Sequence, residues 1–332
     1  MQTALANNRQ TRRRIHIRPN LTIMKGTIAD LKFVRYGDMV VPIIMGKERR
    51  RVINSIVPQG LNDYVKNLVT VNNNAESQSS SISGWNSSPS NTIQLLNNGS
   101  VVQTLNATVI PVLNGSTVIW VFIANDLSSA SYTANQVNLF ASVNYMASGA
   151  NPQYSPPFNL AIATTSIVKQ SGDTISFVWE IQLSLGSNAL PAFILGILYS
   201  IPTSGLCGGT GGTFGGVHGI NCNVPYYFSS ITVQYVGGSS SSNVSSITTS
   251  YDGTNTYLII STSISFSSQV TATSIIVNVQ STQYYIGSCS YNGFCLNGQL
   301  VESGSAIQIP YNATLPASTI TVTVTIEFSP AT

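Results

Sequence analysis

Positive charge is almost missing from most of this sequence. Lys169 is the only Lys or Arg among residues 67–332, and the other thirteen cations lie between Arg9 and Lys66. Residues 1–76 also hold five carboxylates and have a net charge near +8. Residues 77–332 hold six carboxylates and have a net charge near −5. We therefore expect the basic segment to bind an acidic partner, such as nucleic acid, anionic lipid headgroups or the acidic face of another protein.

Groups that titrate between neutral and acidic pH are few after residue 76. That part of the chain has one histidine, His218, and six carboxylates. Because acid unfolding comes mainly from protonating paired carboxylates and charging buried histidines, we expect its stability to change little with pH. The composition favours a protein exposed to an acidic exterior, and an ordinary secreted β-protein rich in Ser and Thr is the alternative.

Long apolar runs are absent too. The longest mainly apolar run, Leu190 to Ile201, is about half of the roughly 20 residues that a membrane-spanning helix requires, and we expect a buried strand there. The start, MQTALANNRQTRRRIHIR, has no apolar region of the kind found in secretory signals. Export by the usual route is therefore not expected.

Residues that would form a catalytic site do not converge in the sequence. His16 and His218 have no acid or nucleophile at a recognisable motif spacing. Asp173 and Glu180, seven residues apart on one predicted strand, are expected on opposite faces of a sheet. The Gly-rich segment GGTGGTFGG lacks the Lys-Ser/Thr ending and the strand–helix context of a phosphate-binding loop. We expect neither an enzyme nor a bound cofactor.

Only four cysteines are present, and they form two local pairs in Gly-rich loops, Cys207 with Cys222 and Cys289 with Cys295. These local disulfides are the favoured pairing among the three possible ones, and they suit an oxidising location or a hyperthermophile. A metal site formed by Cys207, His218 and Cys222 is the alternative. It lacks a fourth ligand and a standard zinc spacing.

The residues that are abundant favour β-strands. Ser, Thr, Asn, Tyr, Val and Ile outweigh Lys, Glu and Arg, and apolar residues alternate strictly through DTISFVWEIQLS and ITVTVTIEF. Runs that are apolar on both faces, at 118–124 and 192–199, predict central strands covered on both sides. Asn-Gly and Asp-Gly pairs predict tight hairpins. We predict an all-β fold with two antiparallel β-sandwich or jelly-roll domains in tandem, at 77–203 and 204–332.

Residues 1–76 are predicted to form a basic, mostly extended anchoring arm that precedes the two domains. Residues 1–19 have no periodic pattern, so we expect them to be ordered only against a partner. Strands are expected within 27–45, and one face of a short helix follows at Leu61, Tyr64, Val65 and Leu68. This helix is expected either to pack under the first domain or to dock on a shell or membrane surface. Without residues 1–58, the rest of the chain is expected to stay folded.

Two sets of surface residues are predicted. The anchoring cations are Arg9, Arg12, Arg13, Arg14, Arg18, Lys47, Arg49, Arg50 and Arg51. Sequons for N-linked glycans occur after the basic segment at Asn86, Asn98, Asn106, Asn114, Asn243 and Asn312, and within it at Asn20. Their number is close to chance in a chain so rich in Asn, Ser and Thr, so they mark positions without proving modification.

The chain resembles structural proteins of viruses that infect archaea of hot, acidic habitats, especially the vertex or turret proteins of Sulfolobus turreted icosahedral viruses. The resemblance lies in the basic segment RQTRRRIHIRP, the module at 132–185 that begins YTANQVNLFAS, and the end ITVTVTIEF. It implies a jelly-roll base in a shell with further β-domains projecting outward, and no catalytic or ligand-binding residue. Major capsid proteins of that group end in a membrane-anchoring helix, whereas this chain ends in a predicted strand, which favours a vertex component.

We therefore predict a virion structural protein, a turret or penton-type vertex component that is assembled in the host cytoplasm and exposed on the capsid surface to an acidic exterior. Its expected partners are copies of itself, in a homo-oligomer such as a pentamer, and other capsid proteins. Internal membrane lipid or nucleic acid is expected at the basic arm, and a host receptor outside. The alternatives are a major capsid protein of the same class, an archaeal extracellular fibre or adhesin subunit, and a secreted glycan-active enzyme.

Overall fold

The computed structural model describes residues 12–36, 39–66, 84–85, 91–114, 117–146, 152–154, 157–184, 226–281 and 303–331. Strands dominate these residues, so the predicted all-β class is confirmed. One 3-10 turn, Ile28–Asp30, and one helix, at 58–66, interrupt the strands of the described part of the chain.

The strands are numbered in chain order. The first eleven are β1 (Arg12–Gly26), β2 (Leu31–Tyr36), β3 (Met39–Ile44), β4 (Glu48–Val52), β5 (Asn54–Ile56), β6 (Gly84–Trp85), β7 (Thr92–Asn97), β8 (Ser100–Asn106), β9 (Thr108–Asn114), β10 (Thr117–Asp126) and β11 (Tyr132–Ala141). The others are β12 (Val143–Met146), β13 (Pro152–Tyr154), β14 (Phe158–Lys169), β15 (Thr174–Ser184), β16 (Tyr226–Tyr235), β17 (Gly238–Asn243), β18 (Ser246–Tyr251), β19 (Thr256–Ser265), β20 (Val270–Ser281), β21 (Ser303–Leu315) and β22 (Thr319–Pro330).

The N-terminal strand β1 lies in the middle of the largest sheet, which we call the main sheet. The strand order is β18-β19-β22-β1-β15-β10-β9, and β4 also pairs with β1. Residues 16–26 of β1 pair antiparallel with residues 184–174 of β15. On the other side of β1, residues 12–17 pair parallel with β22 and residues 21–25 pair antiparallel with β4. This strand therefore joins strands from both halves of the chain into one sheet.

Side-chain alternation explains why β1 takes this central place despite its arginines. The side chains that point into the core are Ile15, Ile17, Leu21 and Ile23, and all four are buried. The side chains of Arg14 and Arg18 point to the opposite face and are exposed. Burying each aliphatic side chain favours folding by roughly 1.5–3 kcal/mol. The outward cations stay hydrated, so they do not oppose this gain.

Two smaller sheets cover one face of the main sheet. The first covering sheet has the order β5-β14-β11-β7-β8, and the second has the order β17-β16-β20-β21. Trp179 of β15 reaches the first covering sheet, where its Nε1 donates a hydrogen bond to Oδ1 of Asn54 at 3.2 Å. The same continuous apolar cluster includes Phe228 of the second covering sheet and Phe328 of β22. One core thus runs beneath both covering sheets.

The hairpin formed by β2 and β3 packs on the other face of the main sheet. Val41 and Ile43 belong to a second apolar cluster with Val121 and Val178 of the main sheet. The backbone N–H of Ile44 donates to Oγ of Ser176 at 2.7 Å. The hairpin therefore sits on what we call the outer face of the main sheet, which is the face opposite the covering sheets.

The predicted short helix is present at 58–66, and it packs into the core. Leu61, Tyr64 and Val65 are buried in the main apolar cluster. Gly60 permits a close approach, since a Cβ atom at this position would lie 1.9 Å from the carbonyl oxygen of Asn159. Burial supports the interpretation that the helix packs under the first domain and contradicts the docking interpretation. Leu68 lies outside the described residues.

The predicted arm is where the structure departs most from the sequence analysis. The expectation that residues 1–19 are ordered only against a partner is wrong for residues 12–19, which belong to β1. The predicted tandem domains also share the main sheet, because β9, β10 and β15 come from the first and β18, β19 and β22 from the second. The parallel pairing of β1 with β22 departs from the antiparallel pattern that we predicted.

Other strand predictions agree with the structure. The two alternating segments form β15 and β22, and the run at 118–124 lies within β10. Trp120 and Phe122 of β10 face the main core, while Val121 and Ile123 face the cluster under the β2–β3 hairpin, so this strand is covered on both sides. A tight turn at Asn98 and Gly99 has positive φ angles of 48° and 81°, as the Asn-Gly pair predicts. The run at 192–199 lies outside the described residues.

Candidate functional site

Five of the nine predicted anchoring cations share the outer face of the main sheet. Arg12, Arg14 and Arg18 project outward from β1, on the face opposite the buried isoleucines. Arg49 and Arg51 project outward from β4, whose register places them beside Met24 and Thr22. We call these five arginines the cationic face.

The remaining predicted anchoring residues have other positions. Arg13 points inward, and its Nη2 donates to the carbonyl oxygen of Gln308 at 2.8 Å. Arg50 points inward too and donates to the carbonyl oxygen of Ser166. Lys47 is exposed just before β4, and Arg9 lies outside the described residues. Two arginines of the predicted anchor thus connect the main sheet to the covering sheets, while Arg13 stays partly exposed and Arg50 exposed.

A buried carboxylate organises one end of the cationic face. Glu327 of β22 is 2% exposed, and its Oε2 lies 2.7 Å from Nε of Arg12 and 3.0 Å from Nε of Arg14. Ser329 donates a further hydrogen bond to Oε1 at 2.8 Å. Burial raises the pKa of Glu327, but the bonds from Arg14 and Ser329 and the charges of both arginines outweigh it, so the pKa lies below its ordinary value. This carboxylate fixes Arg12 and Arg14 in place.

The other end of the cationic face borders a shallow cavity. It has a volume of about 250 Å³ and is lined by Arg49 and Arg51, by Glu180, and by Tyr36 and Met45 near the β2–β3 hairpin. Glu180 accepts a hydrogen bond from Nδ2 of Asn20 at 3.0 Å. Arg49 and Arg51 therefore lie beside one carboxylate that already has a hydrogen-bond partner, and positive charge prevails at this end.

Sequence reasoning missed Glu327 and Glu180 as organisers of this face. The signal was the alternation in ITVTVTIEF and DTISFVWEIQLS, which places Glu327 and Glu180 opposite the buried apolar residues. What the sequence could not show is that β1 lies between these two strands. That pairing joins residues more than 300 positions apart, as in the contact of Arg14 with Glu327.

The covering sheets are nearly free of charge. In their described strands, Lys169 is the only charged residue, and it is buried. Four of the predicted glycan acceptors are exposed on these two sheets: Asn98, Asn106, Asn243 and Asn312. Asn20, on the cationic face, is instead bonded to Glu180. The molecule thus has a cationic side and an uncharged side.

Several predicted sites cannot be located. Asn86, the four cysteines Cys207, Cys222, Cys289 and Cys295, and His218 lie outside the described residues, as does the side chain of Asn114. Both the local disulfides and the alternative metal site therefore stay predictions.

A second polar cluster lies inside the protein, between the end of β10, the start of β11 and the end of β14. Nζ of Lys169 lies 3.6 Å from Oδ1 of Asp126, and both side chains are fully buried. Lys169 also donates to the carbonyl oxygens of Ser128 and Ala130. The carboxylate accepts from the hydroxyl of Tyr132 at 2.6 Å. Burial raises the pKa of Asp126, but hydrogen bonds from Tyr132 and Ser128 outweigh it and leave the pKa below its ordinary value. The cluster ties the loop before β11 to the end of β14.

No catalytic arrangement appears among the carboxylates that the sequence analysis considered. Asp173 pairs with Lys25 at 2.9 Å on the covered side of the main sheet, whereas Glu180 lies on the outer face. Within the described ranges, no three His, Cys, Asp or Glu side chains are grouped so as to hold a metal ion. The one described helix is too short to cross a membrane.

Comparisons with protein-family models, with curated proteins and with solved structures found no match to this chain. The site is therefore interpreted from its own geometry.

The carboxylates predict how stability responds to acid. Four of the six carboxylates after residue 76 have a pKa below their ordinary value: Asp126, Asp173, Asp252 and Glu327. Such groups stabilise the folded state fully above the unfolded pKa of about 4, and this contribution is lost as pH falls through the folded pKa. We expect a constant melting temperature between about pH 7 and pH 4 and a decrease below it, whereas the composition alone predicts little change at any pH.

Calorimetric scans across this range test the prediction. The Glu327→Gln variant removes one of the groups responsible, so its melting temperature is expected to fall less between about pH 4 and pH 2 than that of the parent protein. A melting temperature that stays constant down to pH 2 in the parent protein would contradict it.

Proposed function

We propose that this chain is a structural protein of a virion, a vertex or turret component. It is attached to the particle through its cationic face, and its uncharged side, formed by the covering sheets, points away from the particle. The observation that carries the proposal is the separation of charge between two opposite sides of one molecule. Five arginines lie on the outer face of the main sheet, and the described strands of the covering sheets hold one charged residue, which is buried. An attached side and a displayed side need opposite surface chemistries.

The fold supports the same proposal. The main sheet and the covering sheets enclose a continuous core. The central strand of the main sheet, β1, pairs with the C-terminal strand β22. A body of this kind has few charges to desolvate when copies pack side by side. We extend the proposal to a jelly-roll type of β-sandwich, to contacts with other copies and with other capsid proteins, and to a location on the outside of the particle. The exposed asparagines of the covering sheets would then face the exterior.

Mass spectrometry of purified particles from the host that makes this protein tests the proposal. We expect the chain among the particle proteins and not in cell-surface filaments. The triple variant Arg18→Gln/Arg49→Gln/Arg51→Gln removes exposed charges without touching the core, so it should fold normally and enter particles at least about tenfold less, because each lost contact weakens attachment.

The matched control is the triple variant in which the same three arginines become lysine. It keeps the charge and is expected to enter particles like the parent protein. Discovery of the chain in filaments but not in particles would overturn the proposal in favour of a fibre subunit. Normal incorporation of the glutamine variant would overturn the role of the cationic face.

A further inference from the structure

Exposed apolar side chains are concentrated in the stretch of the chain that contains the β2–β3 hairpin and β4. Ten large apolar side chains of the described residues are exposed, and five of them lie within residues 28–53: Ile28, Phe33, Val40, Met45 and Ile53. Residues 28–53 are a small part of the described chain, so the exposed apolar residues are not distributed evenly along it. Single exposed apolar residues are ordinary on protein surfaces, but groups of them mark sites of interaction.

The β2–β3 hairpin presents part of this group on one side. Val41 and Ile43 face the main sheet, so their neighbours Val40 and Pro42 face away from it. In the paired strand, Phe33 lies opposite Pro42 and Arg35 lies opposite Val40. Phe33 is 73% exposed and Val40 is 59% exposed. We call Phe33, Arg35, Val40 and Pro42 the hairpin patch.

Positive charge surrounds the hairpin patch. Residues 28–53 contain six cations and three carboxylates, which leaves this stretch at +3. Lys32 and Lys47 lie close enough to Asp30 at the base of the hairpin to help lower the pKa of that carboxyl, although hydrogen bonds from Thr27 lower it more. Arg49 and Arg51 line the cavity beside Tyr36 and Met45. The exposed apolar residues of the hairpin patch thus have basic residues nearby, and these continue into the cationic face.

We infer that the hairpin patch and the cationic face together dock on an anionic lipid surface. The inference rests on the proposed function in one respect, since it names the partner of the attached side. Apolar and aromatic side chains enter the boundary between headgroups and acyl chains, while flanking Lys and Arg contact the anionic headgroups. Nucleic acid would need the cations but would give no role to an exposed Phe33 and Val40. An acidic protein surface would be attracted by the same charges, and the experiment separates lipid from these two alternatives.

Flotation of the full-length protein with lipid vesicles tests the inference without any particle. Vesicles of phosphatidylcholine alone are compared with vesicles that also contain phosphatidylglycerol. We expect binding to the anionic vesicles, weakened at high salt because screening shortens the range of the charges. The double variant Phe33→Ser/Val40→Ser should bind about tenfold more weakly, because its apolar contacts with the lipid boundary are lost.

Charge variants test the second half of the docking surface. Each of Arg35→Gln and Lys47→Gln should weaken binding to the anionic vesicles about fivefold, the effect of one basic residue near such a surface. The matched control is Leu127→Ser/Val236→Ser, which removes two exposed apolar side chains that lie far from the hairpin in the sequence. This control should bind like the parent protein, and all variants should keep the parent melting temperature.

Three outcomes would overturn the inference. One is no binding to anionic vesicles, and another is equal binding to neutral and anionic vesicles. The third is binding that depends on charge but not on Phe33 and Val40, which would assign the surface to nucleic acid or to an acidic protein. If vesicle binding fails while the chain is found in particles, the proposed function stands and the lipid partner is wrong. If binding succeeds while the chain is absent from particles, the proposed function fails alone.

Discussion

Deletion of residues 12–26 is expected to leave a chain that does not fold. The deletion removes β1 from between β15 and β22, so each of these strands loses one of its two pairing partners. It also removes four buried aliphatic side chains from the core, and losing each such side chain costs about 2–5 kcal/mol. Their sum approaches or exceeds the total stability of a typical domain, about 5–15 kcal/mol. This outcome is the opposite of the expectation that the chain stays folded without residues 1–58.

Circular dichroism and size-exclusion chromatography measure this outcome. We expect loss of the near-ultraviolet signal and aggregation of the shortened chain. A pair of neighbouring substitutions provides the control: Ile17→Ser replaces a buried side chain, and Arg18→Ser replaces an exposed one on the other face of the same strand. The first should destabilise by about 3 kcal/mol and the second by less than about 0.5 kcal/mol. A soluble deletion variant with a cooperative thermal transition would contradict the placement of β1.

The substitution Lys169→Met is expected to destabilise the protein by about 3–5 kcal/mol, since it leaves a buried carboxylate without its cation. Lys169 and Asp126 are both fully buried. The carbonyl oxygens of Ser128 and Ala130 lose their donor in the same step. Hydrogen bonds from Tyr132 and Ser128 lower the pKa of Asp126, which opposes the protonation that would relieve this cost.

Chemical denaturation of Lys169→Met and Lys25→Met, side by side, measures this effect. Lys25 also forms an ion pair, with Asp173 at 2.9 Å, but both side chains are partly exposed. Exposed pairs contribute about 0–1 kcal/mol, so Lys25→Met should have a much smaller effect. Equal losses of stability in the two variants would show that burial of the Lys169 pair is not what makes it important.

Local patterns in the sequence predicted the strands whose alternation is uninterrupted. Trp179 and Ile181 in β15, and Val324 and Ile326 in β22, were assigned to the buried face correctly because period two needs no knowledge of the neighbouring strand. The same rule applies to β1, where Ile15, Ile17, Leu21 and Ile23 alternate. There the polar and basic composition of residues 1–19 favours a segment that is ordered only against a partner.

The pairing of strands was beyond the reach of the sequence. Nothing local indicates that residue 12 lies beside residue 325, and a parallel pair cannot be recognised from a short turn. The cationic face depends on strand pairing as well, because it needs β1 and β4 side by side in one register. The count of basic residues therefore predicted an attached region, and only the structure separated outward Arg18 and Arg49 from inward Arg13 and Arg50.

Exposure of the hairpin patch was also not predictable. Strands are expected from the sequence within 27–45, and β2 and β3 are there. Phe33 and Val41 look equally suited to a core in the sequence. Val41 packs on the main sheet, whereas Phe33 is exposed, because the two side chains point to opposite sides of the hairpin.

Hydrogen–deuterium exchange of the intact protein tests most directly whether the basic N-terminal segment is the central strand of the fold. Backbone amides in a strand paired on both sides exchange only when the sheet opens. We predict that peptides covering residues 14–24 are protected as strongly as peptides covering residues 175–183 of β15. Complete exchange of residues 14–24 at the rate of an unstructured chain, while β15 stays protected, would contradict the account and restore the flexible arm.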